Sequence, residues 1–567
     1  MTQKPFSGKQ VSALLQTIDP KEIVDNAVRQ TVELLLNLIE QLNSKVKDLE
    51  EENQKLLSEN NRLKGEQGKP DIKPNLKGLK KDHSSEKERK TPSSHSKSSK
   101  KANLKIDRSE ILEYPPSELP QDAQFKGYEE VIVQDILLKT DNVLFRKQKY
   151  YSPQTGKTYL AELPLGYDGE FGPGVKALVM SLYYGGNMTQ GKLLELLEDI
   201  GISMSAGYLS NLLIKNQSDF ETEFNEVYVS GLASSPWQHL DQTGARVKGV
   251  NHTTNVICNP LYTVYYTTLR KDRLSVLGVL QNSQEIEFIL NLLTYELLAS
   301  LNFPTKWTNR IKLLPQETAF TCEQFNALLD KHLNKLGSQH RTRVLEAAAI
   351  AFYHQQSLIP VVQILVCDDA PQFKLLTDHL ALCWVHEARH YKKLNPFVAC
   401  HQQTLEKFLD DFWIYYRELL FFKDSPNQKR KLELKSQFWE LFGTETGYKQ
   451  LDERKRLTAA KVSELLLVLE NPELPLHNNP AELAARTMVQ RRNISYATQT
   501  SEGTKAWDIF MSLVATTRKL GISFFEYVRD RISQSGKILS LGTIIREKCF
   551  LILQALSPQE ELLCMSG

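Results

Sequence analysis

Three acidic motifs, far apart in the chain, carry the side chains best suited to hold a metal ion. Asp241 lies in SSPWQHLDQTGARVKG, Asp368 and Asp369 follow the apolar run IPVVQILVC, and Glu482 lies in HNNPAELAARTMVQRRN. Carboxylate oxygens are the ligands that hard cations such as Mg²⁺ select. Two such cations about 3.5–4 Å apart, held by carboxylates, are an arrangement that cleaves phosphodiesters. Because the chain has 68 acidic residues, spacing alone does not establish such a set.

The residues around each motif predict the element that carries it. Alternation around Asp241 indicates a strand, the first of a short antiparallel meander. The almost continuously apolar run 359–367 is typical of a strand buried on both faces, and ligands gather at the carboxyl ends of such strands. Asn478 or Asn479 is expected to cap a helix with Glu482 in its first turn. A further strand-like segment is LALCWVHEARHY.

A different metal chemistry is conceivable in the segment HEARH. His386 and His390 are four residues apart, and Glu387 completes the zincin order H-E-x-x-H as the base of a metalloprotease. This alternative requires both histidines on an exposed helical face, with a third ligand nearby.

Four segments, in order, are similar to motifs of the insertion sequence 66 family of bacterial transposases: DQTGARVKG, LVCDDAPQF, LCWVHEARHYKKL and HNNPAELAARTMVQRRN. The resemblance covers roughly residues 26 to 535, and its most specific part is N-N-P-A-E. It implies an α/β fold: a ribonuclease-H-like mixed-sheet catalytic core with helical insertions, plus an N-terminal coiled coil and a helical DNA-binding region. It also implies that Asp241, Asp368 and Glu482 form a DDE triad that is both catalytic and metal-binding. Asp368 is preferred to Asp369 because Phe373 matches a family aromatic, but this choice stays open.

The activity implied by the resemblance is that of a DDE transposase. It would bind element ends, hydrolyse a phosphodiester with two Mg²⁺ ions, or Mn²⁺ as an alternative, and transfer the strand to target DNA. The implied partners are double-stranded DNA, a second copy of the chain and small accessory proteins, in the bacterial cytoplasm at the nucleoid. Zinc is not expected, because KYYSPQTGKTY stands without Cys where relatives often carry a zinc module. The other hypothesis is a catalytically inactive relative that binds DNA as a dimer and acts as a repressor or a bridging protein.

Given this resemblance, basic and amide side chains near these motifs are expected to contact DNA. Some lie in HEARHYKK, some follow the third acidic motif, and some lie in the second helix of a helix-turn-helix-like pair. The predicted contacts are Arg389, Lys392, Lys393, Arg491, Arg492, Lys505, Asn211 and Lys215.

A heptad repeat near the N-terminus predicts a leucine zipper. Leu at d with β-branched residues at a favours a parallel dimer, and Asn at a fixes its register, although antiparallel pairing stays open. The seam residues are Leu35, Ile39, Leu42, Val46, Leu49, Asn53, Leu56, Asn60 and Leu63.

Composition and charge set the remaining limits. The 567 residues exceed the size of one typical domain, and the net charge of +2 indicates no particular partner. We find no apolar run long enough for a membrane span and no secretory signal, and the seven Cys show no disulfide or zinc pattern. The predicted organisation is an N-terminal segment (1–25), a coiled coil (26–67), a basic flexible linker (68–103), a small β-rich module (104–165), a helix-turn-helix-like domain (166–228), a catalytic core (229–525) with helical insertions at about 283–350 and 400–470, and a C-terminal helical tail (526–567).

Overall fold

A computed structural model describes most of the chain. The described residues are 15–63, 105–120, 123–136, 138–167, 169–215, 217–282 and 285–556. The basic linker predicted at 68–103 lies outside them.

The described residues between 105 and 167 contain one hairpin. Strands β1 (Lys149–Ser152) and β2 (Lys157–Leu160) pair antiparallel and form a hairpin within the segment KYYSPQTGKTY. Further short strands were expected upstream, and that prediction is wrong for the described residues from 105 to 148. Val131 and Val133 there are largely exposed, so no neighbouring strand covers their apolar side chains.

The long helix α1 (Asn26–Leu63) carries the heptads, and its first half packs against the folded body. Leu36 is only 2% exposed, and the buried Glu40 carboxylate accepts hydrogen bonds from the backbone N–H groups of Phe397 and Val398. Ile39, assigned to the zipper seam, packs into this same contact. Five other apolar side chains of the predicted seam are exposed: Leu35, Leu42, Val46, Leu49 and Leu56.

Four helices follow the hairpin: α2 (Pro173–Met180), α3 (Gln190–Asp199), α4 (Ala206–Ile214) and α5 (Ser218–Ala233). Helices α3 and α4 are the predicted helix-turn-helix-like pair. Ser205 caps α4, because its hydroxyl accepts a hydrogen bond from the Tyr208 N–H. Leu209 and Leu213 bury the inner face of α4 in the main core.

A five-stranded mixed sheet lies at the centre of the molecule. Its strands are β3 (Trp237–Val247), β4 (Val250–Cys258), β5 (Thr263–Thr268), β6 (Ile364–Cys367) and β7 (His379–Leu382). Their order is β5-β4-β3-β6-β7. The first three pair antiparallel, as the predicted meander requires, and β6 and β7 continue parallel to β3.

Two helical insertions interrupt the sheet region. The first holds α6 (Arg273–Leu280), α7 (Leu292–Ser300), α8 (Thr305–Ile311), α9 (Cys322–His332) and α10 (Ser338–Gln355). The second holds α11 (Trp384–Lys392), α12 (Ala399–Asp424), α13 (Gln428–Gly443), α14 (Lys449–Ala459) and α15 (Val462–Leu465). This second insertion builds its own core around Trp384, whose ring packs against Phe412 and Tyr415. The segment LALCWVHEARHY was expected to be a strand; the strand ends at Leu382 and a helix begins at Trp384.

The remaining helices are α16 (Asn479–Ser495), α17 (Ser501–Leu520), α18 (Phe524–Ser533) and α19 (Leu541–Leu556). Helix α17 covers the edge strand β5. Side chains spaced four apart on α17 accept hydrogen bonds from alternate N–H groups of β5. The pairs are Asp508 with Thr267, Ser512 with Tyr265, and Thr516 with Thr263. These bonds satisfy donors that an open sheet edge would leave unpaired. In the part of the chain that the structure describes, no helix is both long and apolar enough to cross a membrane.

Candidate active site

Two of the three predicted carboxylates belong to neighbouring strands: Asp241 lies on β3, and Asp368 directly follows β6. The parallel register pairs His239 of β3 with Val366 of β6. Two residues further, this register brings Asp241 level with Asp368, just beyond the end of β6. Because adjacent strands are about 4.8 Å apart, the two backbones are close at this point.

Asn478 connects the third motif to the same strand. Its side-chain amide donates to the Leu240 carbonyl at 2.8 Å, so its Oδ1 accepts from His239 Nδ1 at 2.9 Å. Asn478, one of the two predicted candidates, is the N-cap residue of α16, but its side chain makes no capping bond and spans to β3 instead. The Glu482 N–H donates to the Asn478 carbonyl, so Glu482 lies one turn from this anchor.

The charges of the other two carboxylates act on Asp241. Burial, together with the charges of Asp368 and Glu482, raises the pKa of Asp241 to about 6, against a hydrogen bond from the Gln242 N–H. The negative charges of Asp368 and Glu482 disfavour the ionised form of Asp241. A bound cation would relieve this repulsion, so this group of carboxylates is suited to hold one.

Asp368 and Asp369 have different surroundings. Asp369 forms ion pairs with Lys374 at 2.8 Å and with Lys461 at 3.0 Å. Burial would raise the pKa of Asp369, but these two ammonium groups lower it. The charge of Asp368 acts on Asp241 and on His386, and its Oδ1 accepts from the Ala370 N–H. These contacts favour Asp368 as the residue that faces the site.

Glu482 has two neighbours that the sequence reasoning did not place beside it. Arg389 Nη2 lies 3.0 Å from Glu482 Oε2, and His386 Nδ1 lies 3.5 Å from Glu482 Oε1. Arg389 Nη1 also lies 2.8 Å from His386 Nε2. Burial lowers the pKa of His386, so its imidazole is neutral at pH 7.

Ligand atoms of Cys383, His386 and Glu482 lie within 4.8 Å of one another. Cys383 immediately precedes α11, its Sγ accepts from the Asn478 N–H at 3.3 Å, and burial raises the pKa of its thiol to about 11. The available signal was C-x-x-H at the junction of a strand and a helix, since this spacing places both side chains on one helical turn. The donor set of the whole site, dominated by carboxylate oxygens, fits a hard divalent cation.

The zincin interpretation fails on Glu387. Its carboxylate is 3% exposed and is engaged by Lys461 at 2.7 Å, by Arg454 and by Thr458. Burial would raise the pKa of Glu387, but Lys461 and Arg454 lower it. The buried ion pairs and hydrogen bond of Glu387 therefore link helices of the second insertion, and its carboxylate cannot reach a substrate as a base.

The predicted DNA contacts differ in exposure. Arg491 is wrong as a DNA contact in this structure: it is fully buried, donates to the Tyr183 carbonyl and stacks on the Tyr183 ring at 4.0 Å. Lys505 is paired with Glu221 at 2.6 Å. Asn211, Lys215 and Lys393 are exposed, Arg389 and Arg492 are half-buried, and Lys392 lies 5.9 Å from the ring centre of Trp413.

Comparisons with known proteins define the class. The profile described as "Transposase IS66 family" matches residues 346–506, which hold two of the three acidic motifs. The chain is also 32% identical over 326 residues to uncharacterized protein y4jO of Sinorhizobium fredii; the match covers 56% of this chain and 99% of that relative. The chain belongs to the IS66 family of transposases.

Proposed function

We propose that this chain is an active DDE transposase whose Asp241, Asp368 and Glu482 hold divalent cations, Mg²⁺ or Mn²⁺, against a DNA strand. The observation that carries the proposal is the strand register that brings Asp241 level with Asp368, together with the Asn478 side chain that ties the start of α16, which carries Glu482, to β3. Because the chain belongs to a transposase family, the substrate we propose for Asp241, Asp368 and Glu482 is DNA.

A ribonuclease-H-like core is part of the proposal. The sheet order β5-β4-β3-β6-β7 supports it: three antiparallel strands are followed by two parallel ones, with helices α16 and α17 after the sheet. In this arrangement β3, the first strand of the sheet along the chain, is central, so that its Asp241 lies beside the end of β6, which Asp368 follows.

Each protein group has a defined task in this account. When bound, the cations would activate an attacking oxygen and stabilise the leaving oxygen. Asp241 lies on β3 and Asp368 follows the adjacent β6, while Asn478 holds the first turn of α16, from which the charge of Glu482 acts on Asp241. Arg389 is suited to a phosphate once it leaves Glu482, because guanidinium pairs with phosphate in two-point geometry.

DNA is expected to contact the cationic and amide side chains that reach the surface. Asn211 and Lys215 on α4 and Lys393 after α11 are exposed and remain proposed contacts. Arg389, Arg492 and Lys392 are proposed at the margin of the site, whereas Lys505 would have to leave Glu221. A dimer through the exposed seam of α1 would bring two such surfaces to one DNA molecule.

The test is strand cleavage of flanking element DNA with Mg²⁺, read as new 3′-hydroxyl ends. Asp241→Ala, Asp368→Ala and Glu482→Ala are each expected to lower cleavage about 1,000-fold or more, because each removes a ligand whose cation supplies several kcal/mol. Binding of the same DNA, measured by mobility shift, should stay largely intact.

The matched control is Glu473→Ala, an exposed carboxylate ahead of α16 that should cut like the wild type. A triad variant that cuts at the native rate would remove that residue from the site. A wild-type protein that binds the DNA and cuts with neither Mg²⁺ nor Mn²⁺ would instead favour the inactive repressor or bridging protein.

A further inference from the structure

The start of α11 brings a second kind of ligand to the carboxylates. Cys383 and His386 are three residues apart, and the His386 imidazole faces Glu482 from the opposite element. His386 Nδ1 and Glu482 Oε1 are both buried, and neither has a hydrogen-bond partner among the described residues. The two atoms face each other 3.5 Å apart, which is too long for a good hydrogen bond and close enough for one cation to bind both.

From this we propose that His386 is a further ligand of the cation held by Glu482, and that its nitrogen makes the centre bind Mn²⁺ more tightly than Mg²⁺. The inference rests on the proposed function, because it adds a ligand to the same centre. Mg²⁺ takes oxygen ligands almost exclusively, whereas first-row transition metals accept imidazole readily.

Cys383 is not part of the proposed ligand set. Its Sγ already accepts a hydrogen bond from the Asn478 N–H, which holds the start of α16. Its position behind His386, 2% exposed, suits this structural task.

Arg389 competes with the cation for the same two side chains. Its guanidinium can only donate, so His386 Nε2 accepts and the ring proton lies on Nδ1. Once Arg389 leaves, Nε2 can carry the proton and the lone pair of Nδ1 becomes free for a metal. The same departure frees Glu482 Oε2. Arg389 and the cation therefore exclude each other, and a DNA phosphate that attracts Arg389 would favour cation binding.

The experiment titrates the full-length protein with MnCl₂ and with MgCl₂ by calorimetry, and records the spin-echo spectrum of bound Mn²⁺. We expect a ¹⁴N coupling from a coordinated imidazole in the wild type and its loss in His386→Ala. Mn²⁺ affinity should fall about tenfold in that variant, whereas Mg²⁺ affinity should change less than about twofold. Arg389→Ala should bind Mn²⁺ more tightly than the wild type.

His390→Ala is the matched control, because His390 lies one turn further on the same helix and outside the Cys383, His386 and Glu482 group. A wild-type spectrum without nitrogen coupling, or coupling that persists in His386→Ala, would overturn the inference. If Glu482→Gln and Asp241→Asn lose Mn²⁺ while His386→Ala binds it normally, only the inference fails. If those two carboxylate variants also bind normally, the proposed centre itself fails.

Discussion

The amide of Asn478 joins two distant parts of the chain. It bonds the Leu240 carbonyl and the His239 ring from the start of α16, and its own carbonyl begins the turn that carries Glu482. Burial lowers the pKa of His239 to about 3, so its ring is neutral and donates one hydrogen bond to Asn478. Because the ring is buried, water cannot replace Asn478 as the acceptor.

Asn478→Ala should therefore loosen the site without removing a carboxylate. It leaves His239 Nδ1 and the Leu240 carbonyl unpaired in a buried place, which costs about 1–3 kcal/mol. We expect a lower thermal midpoint and weaker Mn²⁺ binding by calorimetry. Asn471→Ala is the control, because the Asn471 amide makes only a long 3.5 Å contact. Unchanged midpoint and Mn²⁺ affinity in Asn478→Ala would refute this role.

The local patterns of apolar and polar residues predicted the strands and the helix that carry the three carboxylates. Asp368 follows the buried strand, and Glu482 lies in the first turn of a helix, as expected. The contact of Arg389 with Glu482 was not predicted, because it joins residues 93 apart whose neighbours suggest only a basic surface. Arg491 shows the same limit: two adjacent arginines look alike in a sequence, and only packing buries one of them.

At the scale of elements, α17 and β5 depend on each other. The spacing of four residues along the helix matches two residues along the strand, so each acceptor meets one free N–H. No hydrophobic periodicity predicts such a match, since it uses polar side chains on a buried helical face. A local sequence pattern can predict the ends of α17. The pairing of α17 with β5 is a long-range contact, and only the structure shows it.

Asp508 gives this contact a pH dependence. Burial raises the pKa of Asp508 from 3.8 to about 7. The folded state then binds more protons than the unfolded state between those values, so stability falls as pH rises from about 4 to about 7 and then levels. Asp508→Asn should remove this slope, at most about 1.4 kcal/mol per pH unit.

Thermal midpoints of the wild type and of Asp508→Asn, measured across about pH 5 to 8, test this expectation. The difference between the two proteins should shift in favour of the variant as pH rises. Parallel curves would show that Asp508 keeps an ordinary pKa in the folded protein.

At the scale of the whole molecule, α1 has two different faces. Leu36 and Glu40 fasten one face to the body beside α12, whereas the leucines at d are about half exposed or more. The heptad pattern predicted the helix, but it could not separate these faces, because Ile39 suits an internal contact as well as a seam. The dimer we propose would therefore be built mainly from Leu42 onwards.

Replacing Leu49 and Leu56 together by Glu should abolish dimer formation. Charges at two successive d positions would be buried in the seam, which is costly without a partner. Light scattering at micromolar protein should give a dimer mass for the wild type and a monomer mass for the variant. Glu52→Ala, outside the seam, should leave the mass unchanged. A wild-type monomer, or an unchanged mass in the variant, would exclude the zipper.

The most direct test of the account is metal rescue of Asp368→Cys in the cleavage assay. A thiolate binds Mg²⁺ poorly and accepts softer Mn²⁺, so we expect no cutting with Mg²⁺ and partial recovery with Mn²⁺. Asp369→Cys, which loses the contacts with Lys374 and Lys461, should respond alike to both metals. Wild-type cutting by Asp368→Cys with Mg²⁺, or the rescue pattern in Asp369→Cys instead, would contradict the assignment of Asp368 as a ligand of the catalytic cation.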